Sequence, residues 1–230
     1  MKKKYLIFIA FIAFLFLKAI PANASSINID GDFKYWDQIP KTYVHFSYDT
    51  FNIKQMALTT DNDNLYMFID MSPIQGRGYN HLQTSGYQIR IDNHLFYVDF
   101  KSNDGGYLNT YDIGPGQSKH FKVYIYEEYG RNDRVDKLVT TSDGVVFTKK
   151  TDADVDQIAE VKIPLSEFNI DDISSQKITV KNYNLGEQEL TIMGASSSPY
   201  VLAGIGLFTA LGALWFANKN KHFALKRKDI

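Results

Sequence analysis

Between residues 27 and 193 apolar side chains recur at every second position in short runs. Val44, Phe46 and Tyr48 alternate with other residues, as do Leu65, Met67 and Ile69, then Tyr87, Ile89 and Ile91, then Phe96, Val98 and Phe100. The pattern continues with Phe121, Val123 and Ile125, then Ala159, Val161 and Ile163, and ends with Ile178 and Val180. A period of two sends one set of side chains to a core and the other toward water, which is the mark of a half-buried strand. Turn formers separate the runs: Asp61-Asn62-Asp63-Asn64, Asp92-Asn93, Asn103-Asp104-Gly105-Gly106 and Asp143-Gly144. No internal stretch carries an i, i+3, i+4 apolar face over about ten residues. Only Leu165–Phe168, after Pro164, suggests a helical turn. The pattern predicts an all-β domain over 25–193, an antiparallel β-sandwich. Its longest irregular piece is Ser72–Gly86, with Pro73, Gly76 and Gly78, a loop of the length that often carries function.

Two apolar runs at the ends break this pattern. Lys2–Lys4 precede the run Tyr5–Leu17, and Ala22-Asn23-Ala24 then places small residues ahead of Ser25. Residues 1–24 therefore read as a secretory signal peptide cut between Ala24 and Ser25, with signal peptidase as the implied partner. As a helix the run reaches only about 20 Å, short of a hydrocarbon core of about 30 Å. Residues 200–217, Tyr200–Ala217, are uncharged and about 27 Å long as a helix, enough for a single transmembrane helix. Lys219, Lys221, Lys226, Arg227 and Lys228 follow in the tail 218–230, which the positive-inside rule holds in the cytoplasm. The body is then expected outside the cell, anchored in the membrane or sorted to the surface.

Composition narrows the function. The body, residues 25–194, holds 16 Lys and Arg against 25 Asp and Glu, a formal charge of −9 that the chain total of −1 conceals. An acidic body offers no footprint for a phosphate backbone, so nucleic-acid binding is excluded. With no cysteine there are no disulfides, no thiolate zinc ligands and no thiol catalysis.

Two resemblances follow from motifs. The neck Gly194-Ala195-Ser196-Ser197-Ser198-Pro199, the Gly/Ala/Leu-rich span and the basic end resemble the Firmicu-CTERM sorting domain over about residues 193–228. No Leu-Pro-x-Thr-Gly precedes the span. The resemblance implies a Gram-positive host and an exosortase-like processing protease cutting near 194–199; a plain stop-transfer anchor is the alternative. Within the body, Ile27-Asn28-Ile29-Asp30-Gly31-Asp32-Phe33-Lys34-Tyr35-Trp36 resembles the opening of family-nine carbohydrate-binding modules and their DOMON-like relatives. Asp63-Asn64-Leu65-Tyr66-Met67 and Glu160-Val161-Lys162-Ile163-Pro164-Leu165-Ser166 are similar to two later elements of that group, in the same order. This resemblance implies a β-sandwich with Trp36 as a structural residue.

The candidate chemistry is binding. Tyr79, Tyr107, Tyr111, Tyr124, Tyr126 and Tyr129 supply aromatic faces that stack on sugar C–H surfaces, though strands also favour Tyr for packing reasons alone. Arg77, Tyr79 and His81 on the long loop form the expected ligand edge. Asp61 with Asp63, Asp30 with Asp32, and Asp152, Asp154 and Asp156 are read either as turn residues or as oxygen ligands for a structural calcium; the first pair is the metal candidate. His45, His81, His94 and His120 show no zinc spacing, no Gly-x-Ser-x-Gly occurs, and Met56, Met67 and Met71 suit a core better than a haem. The reading is a non-catalytic surface protein that recognises envelope or environmental glycans; the alternative is an adhesion protein with a protein partner.

Overall fold

The structure is a computed structural model that describes residues 27–74, 78–127, 135–151, 155–171, 173 and 176–194. The signal peptide with Ala24 and Ser25, Arg77, Ala195 through Pro199 of the neck, the span 200–217 and the tail lie outside the described residues. Among the described residues no helix is long and apolar enough to cross a membrane.

The body is all-β and antiparallel, as the alternation predicts. Its strands are β1 (Thr42–Val44), β2 (Lys54–Thr60), β3 (Asn64–Asp70), β4 (Tyr87–Ile91), β5 (His94–Lys101), β6 (Ser118–Glu127), β7 (Asp136–Lys150), β8 (Val155–Pro164), β9 (Lys177–Asn182) and β10 (Leu190–Met193). They form one ten-stranded sheet in the order β1-β2-β3-β8-β7-β6-β5-β4-β9-β10. The sheet curls until its ends meet and is nearly closed: Thr60 Oγ1, at the end of β2, donates to the Met193 carbonyl of β10 at 3.0 Å. Closure of this kind removes long unpaired edges.

The inward positions make a continuous core that includes Met56, Met67, Ile69, Phe96, Phe100, Phe121, Val161 and Phe168. Met71 also lies in it, so all three body methionines named as haem candidates are packed among apolar side chains. Leu165–Phe168 is a 3-10 turn, as the sequence suggests, and it inserts Phe168 into the same core.

β3 is buried on both faces, unlike the alternating β4. The reason is the N-terminal segment, which lies across the outer face of β2, β3, β8 and β7. Ile27, Ile29 and Trp36 pack there on Ala57, Tyr66, Phe68 and Val145 as a second apolar cluster. Trp36 sits in a 3-10 helix, Phe33–Gln38, is fully buried and stacks on Phe68 with ring centroids 5.4 Å apart. Glu160 of β8 fixes the segment. Its Oε1 accepts the backbone N–H groups of Asp30 (3.0 Å) and Gly31 (2.8 Å), and its Oε2 accepts Trp36 Nε1–H (3.1 Å). The Ile-Asp-Gly opening and the late Glu-Val-Lys-Ile-Pro-Leu stretch are thus two halves of one contact.

Two local expectations are corrected. Asp143-Gly144 is no turn: both lie inside the long strand β7, beside a register irregularity opposite Phe121 and Val123. The glycine is there because the Phe121 ring occupies the place of a Cβ. Phe46 and Tyr48 do not continue β1; they lie in the loop after it with their rings stacked at 5.4 Å.

The antiparallel registers sort the connections between the two ends of the closed sheet. At one end β1 leads into β2, β3 into β4, β5 into β6 and β9 into β10, through segments 45–53, 71–86, 102–117 and 183–189. At the other end lie the short turns 61–63 and 92–93, the N-terminal segment and the exit at Gly194. The four loops 45–53, 71–86, 102–117 and 183–189 therefore share one mouth, while the β8–β9 connection with its turn Leu165–Phe168 and both ends of the described body lie at the opposite one.

Candidate functional site

The mouth is aromatic. Among the described residues the exposed large apolar side chains are Tyr48, Phe51, Ile74, Tyr79, Tyr107, Tyr111 and Tyr183 on these loops, against Tyr35, Tyr43 and Tyr126 elsewhere. Exposed single hydrophobics are ordinary on a protein surface; their concentration at one end is not.

The sequence-predicted ligand edge is part of it. Tyr79 and His81 lie on the 71–86 loop, and Tyr111 comes to them from 102–117. The Tyr111 ring is 61% exposed and stacks on His81 at 4.1 Å between centroids, with planes 30° apart. Tyr111 Oη donates to Tyr79 Oη at 3.1 Å, and Tyr79 lies 6.1 Å from the His81 ring. Burial pushes the Tyr79 phenol pKa up, and the Tyr111 hydroxyl bond adds to the rise, so the Tyr79 phenol remains neutral at ordinary pH. Tyr107, 74% exposed, flanks the cluster closely enough to contribute to that shift.

One buried residue sets this geometry. Gln157, at the start of β8, points inward with no exposure. Its Oε1 accepts Leu82 N–H at 2.8 Å; its Nε2 donates to the Thr110 carbonyl at 2.8 Å and to Thr148 Oγ1 at 3.0 Å. Its backbone accepts Met71 N–H and donates to the Asn80 carbonyl. Leu82 and Thr110 are the chain neighbours of His81 and Tyr111, so one amide holds the two loops in stacking register. The remaining loops are tied to the same framework. Ile74 N–H donates to the Ile53 carbonyl, Glu187 N–H to the His45 carbonyl and Tyr183 N–H to the Gly86 carbonyl. Gly78 leaves room for the Asn52 amide, which a Cβ would strike.

Below the rings the mouth is polar and incompletely satisfied. Lys54, the first residue of β2, is 1% exposed. The buried atoms Asn52 Oδ1, Lys54 Nζ, Ser72 Oγ and His81 Nδ1 have no hydrogen-bond partner. Burial depresses the Lys54 ammonium to a pKa of about 8, against the opposing pull of Asp156, Asp70 and Asp49. Removing this charge has a signed consequence. The folded chain holds the Lys54 proton less tightly than the unfolded one, so the cost of burial is fully present below pH 8. It is relieved as pH rises toward the ordinary 10.5. Lys54→Met is expected to raise stability at pH 7 by roughly 1–3 kcal/mol. It should also flatten the gain seen between pH 8 and 10, both read from denaturant unfolding at stepped pH. A variant less stable than the parent would contradict it.

Of the other predicted residues, Asp156 lies near Lys54 at the mouth, Tyr129, Asp152 and Asp154 lie outside the described residues, and Asp61, Asp63, Asp30, Asp32, Tyr124 and Tyr126 lie elsewhere. Asp61 and Asp63 are in the β2–β3 turn at the opposite end of the sheet. Asp61 Oδ1 accepts the N–H groups of Asp63 (2.9 Å) and Asn64 (2.7 Å), and its Oδ2 accepts Tyr66 Oη–H at 2.6 Å. A cation there would have to displace these donors. Among the described residues no group of three His, Asp or Glu side chains is arranged to hold a metal ion. Asp30 and Asp32 serve the N-terminal turn: Asp30 accepts Asp32 N–H, and Asp32 caps the 3-10 helix through Lys34 N–H. Tyr124 and Tyr126 stand on the outer face of β6, where Tyr126 stacks on Tyr97 of β5 at 5.1 Å and Tyr124 donates to Asp136 at 2.7 Å.

Lys54 and Gln157 escaped the sequence reading, yet both carry a legible signal. Lys54 precedes Met56 and Leu58 in the inward set of β2, and Gln157 precedes Ala159 and Val161 in that of β8. A polar residue in phase with a core stripe must find a partner or a purpose. Comparison with known proteins yields no match: no family model fits the chain, and neither a curated protein nor a solved structure is similar to it.

Proposed function

We propose that the chain is an exported, surface-anchored, non-catalytic binding protein that recognises a glycan through the aromatic mouth. The observation that carries this is the gathering of exposed rings on four loops at one end, with Tyr79, His81 and Tyr111 held in register by a buried amide. Aromatic faces with wet hydroxyl tips suit the alternating C–H and O–H surfaces of a sugar. Loops displayed on a rigid sheet are where recognition is commonly built.

The rest of the reading fits this placement. The described body ends at Gly194, opposite the mouth, where the sequence continues into the neck, span and basic tail. An anchor attached there would hold the mouth away from the membrane, facing other surfaces. Processing of the neck at 194–199 by an exosortase-like protease, after signal-peptide removal at Ala24–Ser25, belongs to the same proposal. So does a kinship with carbohydrate-binding-module sandwiches, supported by the contact of Glu160 with Gly31 and Trp36. A second reading, adhesion to a protein, is favoured by Phe51 and Ile74, which are exposed and have no polar tip.

The test is thermal unfolding of the full chain in a zwitterionic, non-glycosidic detergent against envelope and plant saccharides. A ligand that binds only the folded state at about 100 times its Kd adds about 2.7 kcal/mol of stability, so one saccharide class should raise the midpoint. Tyr111→Ala should weaken that binding about tenfold, about 1.4 kcal/mol, through loss of one stacking face. A panel without any shift would sink the glycan reading and leave the protein partner.

A further inference from the structure

Asn52, Lys54, Ser72 and His81 are unusual as a group, because buried polar atoms are nearly always paired and each unpaired one is costly. They belong to two connected loops and the strand ends these spring from. Asn52 touches Gly78, which adjoins Tyr79, while Ser72 follows β3 directly across from the start of β2. His81 carries the stacked Tyr111 ring. The unmet needs are mixed. Lys54 Nζ offers donors only, Asn52 Oδ1 needs a donor, and the Ser72 hydroxyl and the His81 ring nitrogen can each take either role. A carboxylate or phosphate accepts only, so it would leave Asn52 Oδ1 unsatisfied. Asp49, Asp70 and Asp156 also act on Lys54, three carboxylates to one ammonium, which makes the surroundings hostile to a further anion. Hydroxyl groups both donate and accept, and they bring no charge.

Resting on the glycan reading above, we propose that these four atoms form a polar subsite for the hydroxyls of an uncharged saccharide stacked on Tyr79 and Tyr111. The sugar hydroxyls replace the single Tyr79–Tyr111 hydroxyl bond and continue the hydrogen bonding inward. Lys54 is then a residue kept for recognition at a cost to the fold. That gives the subsite a signature that a merely structural lysine lacks: its removal stabilises the free protein and weakens the complex.

The experiment is calorimetric titration of the full chain, in the same detergent, with three probes of equal length. These are a neutral β-1,4-glucan hexaose, a neutral N-acetylglucosamine hexaose and an anionic hexagalacturonate. At least one neutral probe is expected to bind ten times or more tightly than the uronate. Lys54→Met and Asn52→Ala should each weaken that probe about tenfold, while Lys54→Met unfolds at a higher temperature than the parent without ligand. Equal or tighter binding of the uronate overturns the subsite while leaving a glycan binder in place. Unchanged affinity in both variants, with loss in Tyr79→Ala, does the same by confining the contact to the rings. Absence of binding by every probe, matched by a flat saccharide panel, overturns the glycan reading together with the subsite.

Discussion

Trp36→Ala is expected to cost about 3–5 kcal/mol, the largest single loss in the molecule, because it removes the centre of the outer apolar cluster and leaves a cavity under the N-terminal segment. The cost is compounded by buried Glu160, whose Oε2 loses the Trp36 indole N–H that it accepts. Glu160→Gln tests the clamp from the other side. The glutamine oxygen still accepts from Asp30 and Gly31, but its NH2 then faces Trp36 Nε1–H, donor against donor, at a cost of about 2 kcal/mol. The two losses should not add. A double-mutant cycle by urea unfolding is expected to show coupling of about 1 kcal/mol or more, and additivity would mean that the contact is incidental. Burial also raises the Glu160 pKa above its ordinary 4.5, with the three N–H donors opposing the rise. The folded chain therefore holds this proton more tightly than the unfolded chain. Stability contributed by the group is lost as pH rises from 4.5 through the folded pKa. The difference between parent and Glu160→Gln should change across that window.

Gln157→Leu carries the second large effect, and it joins stability to function. The variant keeps the volume and the inward position, but it takes a donor from Thr148 Oγ1 and strands two backbone groups inside the mouth, the Leu82 N–H and the Thr110 carbonyl. Two such groups cost about 2–4 kcal/mol together. Beyond the loss of stability, the 71–86 and 102–117 loops lose the amide that aligns His81 with Tyr111. Saccharide affinity should fall even at temperatures where the variant is fully folded. Gln157→Glu is the informative companion, since its carboxylate still accepts from Leu82 but cannot donate to Thr110. Near-UV circular dichroism of the mouth tyrosines, followed beside the unfolding midpoint, separates the two effects. A Gln157→Leu protein with parental stability and an unchanged aromatic signal would show that the loops are positioned by other contacts.

Alternation alone specified much of this protein. Runs such as Phe96, Val98 and Phe100, broken by Asp92-Asn93, dictate antiparallel strands because only a period of two can bury one face and wet the other. Leu165–Phe168 declared its turn through the preceding proline, and the burial of Trp36 was implied by the motif around it. What the sequence could not decide are matters of distance along the chain. Glu160 meets Gly31 across 129 residues, and Gln157 joins Leu82 to Thr110; such pairings arise only when the sheet closes. Asp143-Gly144 misled for the same reason, since local turn propensity yielded to the Phe121 ring pressing on the strand from its neighbour. The site followed this division. Tyr79 and His81 were legible as a loop with aromatic chemistry. Their partner Tyr111, the buried Lys54 and the shared mouth depend on strand order and register, which set where each loop emerges and which side chains meet there.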